Sequence, residues 1–138
     1  MSTPGPTFRH GIFDDADVFA SFEEELHRSL DSTQLSSGTY SLSHESLELG
    51  PCSVAHLSTT QSSSDRFRVP ADTVVFSLAR NDLSIVWNGK RVPSTAVAIC
   101  LPGIEHRATI PAGWDSYEVT VSRRFIENNG LFPAGFFG

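Results

Sequence analysis

The chain has 138 residues, 39% hydrophobic and 19% charged, with ten Phe. That is the size of one domain with enough apolar material for a core, which excludes a disordered tail. No window approaches eighteen consecutive apolar residues, so no membrane-spanning helix is expected, and residues 1–9 lack the basic start and apolar run of a secretory signal.

The net charge of −6 is uneven. Residues 1–36 hold Arg9 and Arg28 against Asp14, Asp15, Asp17, Glu23, Glu24, Glu25 and Asp31, while the remainder is nearly neutral. Lys90 is the one lysine, and no basic run exceeds Arg123 and Arg124. Phosphate binding draws most of its affinity from clustered cations and released counterions, so direct nucleic-acid binding by this chain is not expected. Cys52 and Cys100 are too few and too far apart for a zinc knuckle or a disulfide scaffold. They read as reduced, buried thiols of a cytoplasmic protein.

Residues 1–12 read as a mobile leader, opening with a Pro/Gly/Thr stretch. Over residues 14–30, Phe19, Phe22, Leu26 and Leu30 follow helical spacing with Glu23, Glu24 and Glu25 on the other side. Asp14 and Asp15 stand where an N-cap and a favourable first-turn charge belong. This predicts a short acidic helix lying outside a sheet.

A Ser-rich break at 31–38 follows, and strands after it. Tyr40, Leu42 and His44 alternate, then Leu47 and Leu49 resume in the other phase, which predicts a bulge near residues 45–46. Further alternating or apolar runs lie at 52–57, 66–69, 73–79, 83–87, 96–101 and 114–122. Asn88 and Gly89 form a hairpin signal, since both tolerate positive φ. Seven or eight short strands at this spacing predict an antiparallel sandwich or barrel, and the absence of βαβ alternation excludes a parallel nucleotide-binding sheet.

Chemistry-bearing motifs are sparse. There is no Gly-rich phosphate loop, no nucleophile elbow and no pair of His on one helix face. His10 and His27 read as solvent-facing, and His44, His56 and His106 lie on or beside predicted strands without the close spacing of metal ligands. No catalytic residue is expected.

The run 83–87, the Asn88-Gly89 turn, the run 96–101 and then Pro102-Gly103-Ile104-Glu105-His106 resemble the second half of a cupin barrel. Aligning Gly89 with the family's turn glycine puts its metal-binding Glu at Asp82. Its two His then fall at Phe76 and Leu78, or at Val75 and Ser77. Neither pair can hold a metal, so the resemblance implies a barrel with no metal or other cofactor, although His106 stands at the last ligand position. A metal-free barrel preceded by a helical stretch resembles the N-terminal effector domain of AraC-type transcription regulators. Phe13-Asp14-Asp15, Leu35-Ser36-Ser37-Gly38, Asn88-Gly89, Leu101-Pro102-Gly103, and Val119 to Val121 followed by residues 123–126 carry that likeness across residues 13–132.

The expected fold is therefore mainly β, a cupin-like antiparallel β-barrel (jelly roll) with a short N-terminal helix outside it. The sensor domain spans 13–132, and 133–138 is a tail or linker start. The resemblance implies a small-molecule effector inside the barrel, with DNA reached only through a C-terminal domain absent from this chain. The apolar tail with Phe136 and Phe137 suggests a homodimer. On alternation, Leu83, Ile85 and Trp87 form one candidate inward set and Val74, Phe76 and Leu78 another. Trp87, His106, Trp114 and Tyr117 supply aromatic faces with polar tips, and Arg66 or Arg68 could fork onto a carboxylate or sugar hydroxyl. The expected ligand-binding residues are Arg68, Phe76, Trp87, His106, Trp114 and Tyr117. The alternative is a stand-alone cupin enzyme, an isomerase or lyase, using His106 with Glu105 or Tyr117 as acid and base. A third is a carbohydrate-binding or purely structural sandwich with no pocket.

Overall fold

A computed structural model describes residues 5–15, 18–19 and 29–133. Six strands form one antiparallel sheet in the order β1 (Thr7–Phe13), β3 (Leu42–Glu48), β4 (Cys52–Thr59), β11 (Asp115–Ser122), β6 (Thr73–Ala79) and β9 (Val97–Cys100). Five form a second, in the order β2 (Ser29–Gln34), β5 (Ser63–Arg68), β10 (Glu105–Ile110), β7 (Ile85–Trp87) and β8 (Lys90–Val92). The fold is mainly β, two antiparallel sheets packed face to face; among the described residues they do not close into a barrel. One short helix, α1 (Arg123–Asn128), follows β11, with the Ser122 hydroxyl accepting from the Phe125 N–H as its N-cap.

The sheets meet through two apolar clusters. Phe19, Tyr40, Leu42, Ala55 and Leu57 form one, with Phe13 and Leu30 against it. Val69, Val75 and Cys100 form the other, with Phe67 and Trp87 against it. Fully burying a side chain such as Leu42 contributes about 1.5–3 kcal/mol, so a handful of these contacts is of the order of a domain's whole net stability. The hairpin is where the sequence put it: Asn88 has φ 49° and Gly89 φ 83°, and Trp87 pairs with Lys90 across the turn.

Several expectations change. Thr7–Phe13 is no leader: it is edge strand β1, hydrogen-bonded along its length to β3. Most of the predicted helix 14–30 lies outside the described residues. What is described is its start, where Asp15 Oδ1 accepts from the Val18 N–H at 3.4 Å and Phe19 donates to the Asp15 carbonyl at 3.2 Å. Its last residue, Leu30, belongs to β2, and so do Asp31 to Gln34 of the Ser-rich break. No bulge interrupts β3, because its register against β4 runs unbroken from Leu42 to Glu48. Ser46 takes the inward position there, leaving Leu47 and Leu49 exposed. Phe136 and Phe137 of the tail lie outside the described residues.

Candidate functional site

Strand register explains why the interior is not filled. In the second sheet, Ser32, Asp65, Ala108 and Trp87 lie in one row across β2, β5, β10 and β7. In the first, Ser46, Ala55, Glu118, Ser77 and Ala98 lie in one row across β3, β4, β11, β6 and β9. Ala and Ser leave space at the middle of each sheet where Leu or Phe would close it. The result is a cavity of about 120 Å³ between the sheets. Asp65, Ala108, Trp87, Glu118 and Ser77 line its middle, with Phe19, Tyr40, Leu57 and Trp114 from the side of the first apolar cluster and Phe67, Val75 and Cys100 from that of the second.

The lining is apolar with a few polar groups aimed inward. Ser32 donates to Asp65 Oδ1 at 2.6 Å. Burial pushes the Asp65 carboxyl above its usual range; hydrogen bonds from Ser32 and Ser63 oppose this, while the negative charges of Glu118 and Asp31 add to it. The Tyr40 hydroxyl is pushed up to about 12, by burial first and then by the charges of Asp65 and Asp15. Ser116 is 2% exposed and Tyr40 6%. Both line the cavity, and neither hydroxyl hydrogen-bonds to a described residue. A buried hydroxyl without a protein partner leaves hydrogen-bonding capacity for whatever enters.

Three of the six expected ligand-binding residues line the cavity: Arg68, Trp87 and Trp114. Arg68 sits at the rim with its side chain 56% exposed, 3.9 Å from Glu105. Its neighbour Arg66 points to the outer face and pairs with Asp31 at 2.8 Å.

His106 stands behind the lining. It is buried, with its ring stacked on Trp87 at 5.2 Å and facing Phe67 at 5.7 Å. The Leu101 N–H donates to its Nε2 at 3.1 Å, and the Asn88 side-chain amide lies 3.2 Å from Nδ1. Burial lowers its pKa, so the ring is held neutral and buttresses the Trp87 indole.

Phe76 and Tyr117 do not face the cavity. Side chains alternate along a strand, and Val75 and Ser77 on β6 and Ser116 and Glu118 on β11 take the inward positions. Phe76 is on the outer face, stacked on Phe132 at 5.9 Å. Tyr117 is 41% exposed, under the Arg80 guanidinium at 4.9 Å and beside His56. The inward set of β6 is thus the opposite of Val74, Phe76 and Leu78. His106, Glu105 and Tyr117 also fail to converge: Glu105 is exposed among Arg66, Arg68 and Arg107, and Tyr117 is on the outside of the other sheet.

Sequence reasoning missed Asp65, Glu118, Tyr40 and Ser116. A signal was present. Asp65 shares its strand phase with Phe67, and Glu118 shares its phase with Ser116 and the preceding Trp114, so each carboxylate is in step with a side chain that packs inward.

Both cysteines are free, Cys100 buried and Cys52 partly buried. They lie on β9 and β4, three strand spacings or about 14 Å apart, too far to be bridged to each other. No helix among the described residues is long and apolar enough to cross a membrane. No family model, curated protein or solved structure matches the chain.

Proposed function

We propose that the chain is a small-molecule sensor domain, holding its effector between the two sheets. The observation that carries this is the cavity between the sheets, lined by the buried hydroxyls of Tyr40 and Ser116, which bond to no described residue, and by the Asp65 carboxyl. A few convergent polar groups in an apolar, aromatic hollow are what small-ligand sites consist of. The strand order supports a cupin-like jelly roll: from β4 onward, β4-β11-β6-β9 and β5-β10-β7-β8 form the two sheets that interleaved Greek keys produce. On this reading the effector undergoes no chemistry. It biases the arrangement of the segments around the cavity by its differential affinity for them, as in the AraC-type regulators the sequence resembles. Contact with DNA is left to a separate C-terminal domain, since the arginines that gather on these strands, Arg66, Arg68 and Arg107, are set against Glu105 and Asp31. The two free cysteines support a reducing, cytoplasmic setting.

The test is a set of thermal melts on metal-analysed protein against sugars, fatty acids, small acids, amines and aromatic compounds. A compound that binds the folded state raises the melting temperature by mass action. Stabilisation by one compound class is the expected result. A flat response across the panel contradicts the proposal.

A stand-alone enzyme is the second reading, favoured by one observation. A carboxyl with a raised pKa beside a second carboxylate is a common general-acid arrangement. Turnover of a bound compound, abolished in Asp65→Asn, is the result that puts this reading first.

A further inference from the structure

We infer that the cavity between the sheets takes a small uncharged phenol, with its hydroxyl hydrogen-bonded to Tyr40 and Ser116 and its ring against Phe67 and Trp87. This rests on the cavity being a binding site, as proposed above.

Hydrogen bonding is the first argument. Of the polar side chains in the lining, Asp65 is held by the hydroxyls of Ser32 and Ser63, Thr59 donates to the Gln61 carbonyl at 3.3 Å, and Glu118 has a partner of its own. Tyr40 and Ser116 are both more than nine-tenths buried and bond to no described residue. Each hydroxyl can donate and accept. A ligand hydroxyl does the same, so it can take a bond from one and give a bond to the other. A purely hydrocarbon ligand would cut both off from water with nothing in exchange.

Placement is the second argument, because the cavity has two unlike ends. Ser116 pairs with Leu57 across β11 and β4, and Leu57 packs with Tyr40 in the first apolar cluster, so both hydroxyls belong to that end. Phe67 and Trp87, their rings 5.5 Å apart, belong to the other, against Val75 and Cys100. Ser116 is two residues along β11 from Glu118 in the middle row, about 7 Å of strand. One hydrogen bond of about 2.8 Å and a single ring with its hydroxyl cover that distance.

Charge and size are the third. The cation among the described lining residues, Arg68, is at the rim and set against Glu105, so an anion would meet carboxylates inside. With Asp65 and Glu118 both engaged, neither is left for an ammonium. A charge taken from water without a partner is costly, whereas a phenol ionises only near about 10 and enters neutral. A cavity near 120 Å³ approaches the roughly 150 Å³ hollow that accommodates benzene, so the ligand has about six to eight heavy atoms.

The experiment is calorimetric titration of the full chain at pH 7.5 with phenol, toluene, benzylamine and benzoate, which share one ring and differ in what it carries. The expected result is that phenol binds, toluene binds at least about tenfold more weakly, and the two ions do not bind. Tyr40→Phe and Ser116→Ala are each expected to lower the preference for phenol over toluene about fivefold or more, the scale of one lost hydrogen bond, and the double variant to have none. Melting temperatures within about 3 °C of wild type show that the variants are folded. Toluene binding as well as phenol, or variants that keep the wild-type preference, overturns the hydroxyl contact and leaves the cavity as a binding site. An ion binding as well as phenol overturns the uncharged class, with the same consequence. No binding by any of the four overturns the phenol, and a flat melt panel besides overturns the sensor reading itself.

Discussion

Asp65 on β5 and Glu118 on β11 look into one cavity from opposite sheets, with Ser32 and Ser77 as their respective row neighbours. Burial disfavours the charge of the Asp65 carboxyl most, and the negative charges of Glu118 and Asp31 add to it. An arrangement that costs stability in the folded chain is what a ligand site looks like when stability has been traded for recognition.

The cost has a pH signature. The Asp65 carboxyl is raised in the folded state, so the stability it contributes is fully present below its unfolded value near 3.9 and is lost as pH rises through the folded value. The groups bearing on it are Ser32 and Asp31 from β2, Ser63 on its own strand, and Glu118 from the facing sheet. Asp65→Asn is therefore expected to melt roughly 2–5 °C above wild type at neutral pH, the gap narrowing toward pH 4. Calorimetric melts across that range check this, and a variant less stable than wild type at every pH contradicts it.

His106 carries the opposite linkage. Its folded pKa is lowered by burial, so the stability of its neutral form is present above the unfolded value near 6.5 and is lost as pH falls through the folded value. His106→Ala leaves the Leu101 N–H without its acceptor and a gap beside Trp87. It is expected to cost about 2–4 kcal/mol. Denaturant melts at pH 7.5 measure the loss. A proton NMR titration in which the His106 ring ionises above 6.5 would contradict the account.

Tyr40 and its hydroxyl can be separated. The phenol ionises only at about 12, in a wall that offers it no described hydrogen-bond partner. Tyr40→Phe is expected to change stability by less than about 0.5 kcal/mol, since no protein hydrogen bond is lost, and to remove the last phenolate step from an ultraviolet titration. A loss of several kcal/mol would mean that the hydroxyl already has a structural partner.

Filling the cavity should separate binding from folding. Ser77 lies in the middle of the floor beside Glu118, and Ser77→Leu adds apolar volume where space exists. The expected outcome is a melting temperature equal to or above wild type with loss of every ligand-induced shift. Phe76→Ala, one residue away on the outer face, should do the reverse. It costs about 1–3 kcal/mol through its contact with Phe132 and leaves ligand shifts intact.

How much of this was legible follows from the residues. The Asn88-Gly89 hairpin was, because only backbones tolerant of positive φ fit there, and so was β6, an apolar run bounded by turns. β2 and β10 were not, since Asp31 to Gln34 and Glu105 to Thr109 are largely polar or small and owe their strand state to pairing with β5 on either side. Trp87 was placed on the cavity by aromatic character together with strand phase, and Trp114 by aromatic character alone. Phe76 was misplaced because β6 is apolar in both phases: its outer face is covered by Phe132, so hydrophobicity alone carries no inside and outside. Asp65 and Glu118 were missed because charge on a strand ordinarily means the solvent side.

The central claim is that the space between the sheets is where a small molecule binds. The most direct measurement is a proton–nitrogen NMR map with the compound from the melt panel that shifts the melting temperature most. The account predicts that perturbations centre on the indole N–H groups of Trp87 and Trp114 and the amides of Asp65, Ser77, Ala108 and Ser116. Perturbations centred on Phe76, Tyr117 and the outer face, with the indoles unmoved, would contradict it.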